Sequence, residues 1–127
     1  VPHLASFLRD HGFPTFDDWH ASGPTADECL WAYEKLRGRP YDAALKGYAA
    51  QNQFHFDKRH IEEADIGVLM MPAGKSGHLE LGVMIGMGKP VFILMDKEPE
   101  RLDLMHNYAT GVVFDKHDLV RRLKEVA

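Results

Sequence analysis

Cysteine is almost missing from this sequence, where Cys29 stands alone. A single thiol cannot close an internal disulfide, so a stapled mini-scaffold is excluded and a reducing, cytoplasmic setting is expected. The first residues show no charged-then-apolar signal segment. No apolar run approaches the roughly 20 residues of a membrane span, which makes a membrane an unexpected partner. Basic charge is not in excess either: 15 Lys and Arg face 19 Asp and Glu, a net charge of −4 with the eight histidines neutral. A nucleic-acid backbone is therefore not an expected partner. Low-complexity tracts and internal repeats are absent. What remains is 127 residues, 45% of them hydrophobic, enough for one folded domain with a hydrophobic core and too few for two. The chain opens at Val1 without Met, directly into a predicted helix, so part of the natural N-terminus is expected to be missing.

Leu4, Phe7 and Leu8 fall at helical spacing, and Gly12 supplies a stop, predicting an amphipathic helix over Val1 to Gly12. Phe13 to Phe16 reads as a brief strand interrupted by Pro14, and a polar loop opened by Asp17, Asp18 and Trp19 runs to Pro24. Thr25 followed three residues later by Glu28 has capping-box spacing and predicts a helix to Gly38. A second helix is expected near Pro40 from Tyr41, Ala44, Leu45 and Tyr48. A polar break at Gln51 to Gln53 and a third helix from Phe54 to Ala64 follow. Beyond Asp65 the pattern becomes more regular. Ile66 to Met71, Pro90 to Met95 and Gly111 to Phe114 read as buried strands, with helices over Ser76 to Gly88 and Asp118 to Val126. Strands that are apolar on both faces and alternate with helices predict a flavodoxin-like or Rossmann-like three-layer α/β domain with a mostly parallel sheet.

Such sheets bind ligands beyond the carboxyl ends of their strands. The loop Pro72-Ala73-Gly74-Lys75-Ser76-Gly77 falls at that edge, where backbone N–H groups and a helix N-terminus suit a phosphate, carboxylate or hydroxyl. It is neither a Walker loop nor GxGxxG, and it also reads as an ordinary strand-to-helix turn. Glu80 is more informative, because Leu79, Leu81, Val83, Met84 and Ile85 surround it, so its carboxylate is expected to be partly buried. It reads either as a first-turn anion stabilised by the helix dipole or as a carboxylate nucleophile kept ionised by that dipole. Asp57, Ile61 and Ala64 share a helix face, which directs Asp57 inward near the expected helix start. Two carboxylates on one crevice rim are the arrangement that breaks glycosidic bonds, although Asp57 also reads as a helix-start anion or a partner of Arg59 or His60.

The eight histidines show neither HxH nor HExxH spacing, so no metal is expected. His78 shares the loop with Glu80 and reads as a loop hydrogen-bonder or an assistant to chemistry. Trp19 and Trp31 could stack on a base or fill a core. Gly82 and Gly86 read as allowing close approach of helix to sheet, and the six methionines as core filler.

The run from Ala64 to Leu94, ADIGVLMMPAGKSGHLELGVMIGMGKPVFIL, resembles the nucleoside 2-deoxyribosyltransferase family and its relatives that hydrolyse deoxynucleoside monophosphates. Phe56-Asp57 and the early helix and strand through Asp17 fit the same pattern, and the similarity covers about two thirds of the chain. The resemblance implies that Glu80 attacks the anomeric carbon of a deoxynucleoside and that Asp57 helps to hold sugar or base. The expected substrate contacts are Asp17, Trp19, Gly74, Ser76 and His78. No cofactor is implied, and a homo-oligomer is. Two departures stand out: Gly74 lies where the family usually has an acidic or hydroxyl residue, and the family's first strand would precede Val1. A non-catalytic nucleotide-binding module is the reading from another class.

Overall fold

Three runs of aliphatic residues form strands β1 (Gly67–Met70), β2 (Val91–Leu94) and β3 (Gly111–Val113) in the computed structural model, which describes residues 2–15 and 24–127. All pairs are parallel in the order β1-β2-β3, with Gly67 opposite Val91 and Phe92 opposite Gly111. Each strand is a residue or two shorter than its apolar run. A parallel sheet has to be covered on both faces, and the alternation of side chains along β2 shows how this is done. Phe92 and Leu94 enter one layer with Leu8, Val113, Leu119, Val120 and Leu123. Val91, Ile93 and Met95 enter the opposite layer with Leu69, Leu81 and Met84. All four residues of β2 are buried, so it is the central strand of a three-layer α/β arrangement of the flavodoxin-like kind.

Helices α1 (Pro2–Asp10), α5 (Lys75–Gly86) and α6 (Lys116–Val126) supply the covering faces. The end of α1 explains a misread segment. Gly12 takes φ +90°, its N–H donates to the Arg9 carbonyl, and the Phe13 N–H donates to the Leu8 carbonyl at 3.0 Å. This is a Schellman cap, whose following residue characteristically folds back onto the helix. Phe13 accordingly packs into the Leu8 layer, and the described part of the predicted strand, Phe13 to Thr15, is not a strand. At the other end of the chain, α6 starts ahead of the predicted Asp118. The Asp115 carboxylate accepts from the N–H groups of His117 (2.6 Å) and Asp118 (3.2 Å) and caps the helix. Those two donors hold the Asp115 carboxyl below the ordinary carboxylate range.

By its contacts the chain divides into two units, Val1–Pro14 with Ile61–Ala127, and Thr15–His60. The first contains the sheet. The second contains α2 (Pro24–Leu36), α3 (Tyr41–Leu45) and most of α4 (Tyr48–Glu63). Helix α2 begins at Pro24, one residue ahead of the expected cap Thr25, with proline in the first turn where its missing N–H is harmless. The break between the next two helices falls at Lys46 and Gly47, and α4 runs unbroken through Gln51 to Gln53. Gly47 is buried, and a Cβ there would stand 3.2 Å from the Ala44 carbonyl oxygen and 3.4 Å from Arg39 Nη1. That crowding favours glycine at the bend. Glu34 is only 4% exposed. It pairs with Arg39 (3.2 Å) and Arg37 (3.6 Å), while Arg39 also donates to the Ala43 carbonyl at 3.1 Å. Among the described residues, no helix is long and apolar enough to cross a membrane.

Candidate functional site

The carboxyl end of β1 leads through Met71 to Gly74 directly into α5. Gly74 is the N-cap in an extended conformation and makes no side-chain cap, and Lys75 and Ser76 are exposed in the first turn. Gly77 is where helix and strand meet: a Cβ there would lie 3.0 Å from Leu69 Cδ1 and 3.5 Å from the Ala73 Cβ. Gly82 and Gly86, expected to provide that close approach, have nothing within 4 Å of an added Cβ and face open space. The helix is turned differently from the reading of its sequence, because only one face of it meets the sheet.

Glu80 follows from that orientation. It is half-buried, as expected, but as the sixth residue of α5 it lies in the second turn and not the first. The dipole field falls off within the first turn, so dipole stabilisation is a weaker reason for Glu80 than its burial. The surround that suggested an all-apolar helix is also divided. Leu81 and Met84 are buried, whereas Leu79 is 72% and Val83 51% exposed. Glu80 stands at the border of these two surfaces.

His78, one turn into α5, has its imidazole fixed at both nitrogens. Its Nδ1 lies 3.0 Å from the Gly74 carbonyl oxygen, and its Nε2 lies 3.3 Å from Nε2 of His106. The two rings stack with centroids 5.5 Å apart and planes 10° from parallel. His106 belongs to a 3-10 turn, Leu104–Tyr108, that precedes β3, and its Nε2 lies 3.4 Å from Oδ2 of Asp103. Asp103 caps that turn by accepting the Met105 N–H at 3.0 Å. The histidine survey by local spacing does not see this grouping, because its members come from two elements far apart in sequence. The legible signal was the Asp-x-x-His spacing of Asp103 and His106.

Asp57 is placed differently from its expectation. Helix α4 begins at Tyr48, so Asp57 is in its middle, and neither the helix-start anion nor a position at the helix start applies. It is half-buried, and its Oδ1 accepts from Gln53 Nε2 at 3.2 Å. Asp57 belongs to the second unit and Glu80 to the first. Ile61 and Ala64, which share its predicted face, pack with the Leu69 and Leu81 layer of the first unit. Asp17 and Trp19 lie outside the described residues. Trp31 is half-buried and stacks edge-on against Tyr41 at 5.6 Å, with the Lys35 ammonium 4.8 Å from its ring. It lines an open groove of about 560 Å³ with Glu28, Ala32, Lys35 and Leu36.

No protein-family model matches this chain, and no curated protein matches it.

Proposed function

We propose that the chain cleaves the N-glycosidic bond of 2′-deoxynucleosides and passes the deoxyribosyl group to a second base, with Glu80 as nucleophile. One observation carries this reading: Glu80 is a half-buried carboxylate on the helix that leaves the carboxyl end of β1, within a segment resembling the deoxyribosyltransferases. A carboxylate oxygen of Glu80 forms a bond to C1′ as the C1′–N bond breaks and its electron pair leaves on the base. The departing base takes up a proton; a nitrogen of the second base then attacks C1′ as the bond to Glu80 breaks and returns the carboxylate, and the second base gives up a proton in balance. His78, Gly74 and Ser76 lie at the same helix start and serve as substrate contacts, as do Asp17 and Trp19. Asp57 takes a supporting role in holding sugar or base. Exposed Leu79 and Val83 offer apolar surface for the homo-oligomer that the resemblance implies, and a cytoplasmic setting belongs to the same reading.

Lys75 and Ser76, both exposed in the first turn of α5, favour one second reading, hydrolysis of deoxynucleoside 5′-monophosphates. The two readings separate in one experiment. A deoxynucleoside and its monophosphate are incubated with and without a second free base, and products are followed by chromatography. Exchanged nucleoside supports transfer, whereas deoxyribose 5-phosphate released at a rate independent of added base supports hydrolysis. Glu80→Gln should reduce either turnover by about 10³-fold or more, with circular dichroism unchanged. Full activity in that variant excludes Glu80 as nucleophile. A wild-type chain that binds nucleotides without turning them over is the binding module instead.

A further inference from the structure

The His78, Asp103 and His106 grouping brings one ligand atom from each residue to within 4.8 Å of the others. Its proton arrangement is informative. His78 Nδ1 faces a carbonyl oxygen, which can only accept, so that nitrogen carries the hydrogen and the neutral ring presents a lone pair at Nε2. His106 Nε2 then faces two acceptors, this lone pair and the Asp103 carboxylate oxygen, with at most one hydrogen to offer them. A cation at the centre would satisfy all three groups together.

Two of the three distances match a particular kind of cation. With metal–ligand bonds of about 2.0 to 2.1 Å, a tetrahedral site separates its ligand atoms by about 3.3 to 3.4 Å. Two of the three edges fit, 3.3 Å between the imidazole nitrogens and 3.4 Å between His106 Nε2 and Asp103 Oδ2, and the third, between His78 and Asp103, lies within 4.8 Å, a span that the half-exposed Asp103 carboxylate would close on binding. The orientation is also supported from outside the set, in the manner of metal-binding histidines. The Gly74 carbonyl fixes the His78 tautomer, and the Met105 N–H occupies Asp103 Oδ1, leaving Oδ2 toward His106. The His106 side chain is only 14% exposed, while Asp103 at 50% leaves an approach from solvent.

We propose that His78, Asp103 and His106 bind one divalent transition-metal ion, zinc by the character of a two-imidazole, one-carboxylate set, with a fourth position left to water. The ion would tie the turn before β3 to the start of α5. This site stands on its own ligands, whether or not Glu80 is a nucleophile, and its test reads binding and not turnover.

The metal-free full chain is titrated with Zn²⁺ in competition with a chromogenic chelator, and thermal melting is followed in parallel. One equivalent should bind, with a melting temperature that rises and saturates at that ratio. Co²⁺ in the same site should give the intense visible absorption of tetrahedral coordination. His78→Ala and His106→Ala should each weaken binding by about 10²-fold or more, Asp103→Asn by less, and His117→Ala not at all. Imidazole NMR of the unaltered chain provides a measurement that needs no variant to fold: Zn²⁺ should shift the His78 and His106 resonances and leave those of His3 and His117 in place. Absence of saturable binding, shifts confined to other histidines, or undiminished binding in the His78→Ala, His106→Ala double variant would overturn the assignment.

Discussion

Each of the two units of this chain is stabilised internally by different physics. In the sheet-bearing unit the interior is hydrocarbon: Val91, Phe92, Ile93 and Leu119 have no exposed surface at all. In the helical unit, among the described residues, the buried side chains are those of Ala44 and the charged Glu34, and α4 buries none fully. Its aromatics Tyr33, Tyr41, Tyr48, Phe54 and Phe56 stand largely exposed. Burial of apolar area is non-directional and tolerates imprecise matching, whereas a buried ion pair works only with its geometry intact. The sheet unit should therefore tolerate isosteric repacking, and the helical unit should be sensitive to single polar changes.

The largest effect is expected at the centre of the sheet. Phe92→Ala removes a ring with no exposed surface and should destabilise the sheet unit by about 3–5 kcal/mol. Phe92→Leu should recover much of that loss. Chemical denaturation followed by circular dichroism checks both, and a loss below about 1 kcal/mol would show that the layer does not depend on this ring. Next comes Arg39→Ala, which leaves the buried Glu34 carboxylate with the half-exposed Arg37 and takes one of two donors from the Ala43 carbonyl. A loss of up to about 3 kcal/mol is expected, the low end for buried pairs because Arg39 is one-third exposed. Hydrogen exchange should place the change in α2 and α3 and spare β2. Equal loss of protection in β2 would mean that the two units do not differ in what supports them.

How much of each unit could be read from sequence follows the same division. The strands were legible because their continuous apolar runs end at Asp65, Pro72 and Pro90, so their positions emerged with only terminal residues in error, but β3 is not the buried strand expected, since Val112 and Phe114 are exposed. The helical unit was misread at Gly47 and at Gln51 to Gln53, because polarity alone was taken to break a helix. What breaks it is a backbone bend fitting only a small residue beside Arg39. Phe13 was misread for a related reason: a Schellman cap places an apolar residue after glycine that looks like the start of a strand. Glu80 was found as a half-buried carboxylate, but it was counted in the first turn, although even a helix started at Ser76 makes it the fifth residue and so places it in the second. His106 and Asp103 were missed as partners of His78, since a grouping made by tertiary structure leaves only a weak local trace.

A smaller prediction sharpens the comparison on the sheet side. Asp115 has its folded-state pKa lowered by the two N–H groups it caps, so its contribution to stability is present above the usual carboxylate pKa and is lost as pH falls through the folded value. Asp115→Ala should lower the melting temperature modestly near neutral pH. The gap from wild type should narrow as the pH is brought below about 4. A gap that stays constant down to acid would assign the effect to helix propensity and not to the charged cap.

The Glu34–Arg39 connection also bears on the order in which the molecule assembles. The two residues flank Gly38, and the Arg39 N–H donates to the Glu34 carbonyl at the same turn that brings their side chains together. Closing so short a segment carries little loop entropy, whereas joining β1 to β2 requires the whole of α5 to be in place between them. Contacts near in sequence form early and distant parallel pairings form late. The polar helical unit should therefore acquire protected amides first in a refolding experiment, before the hydrocarbon layers that dominate the stability of the sheet have closed.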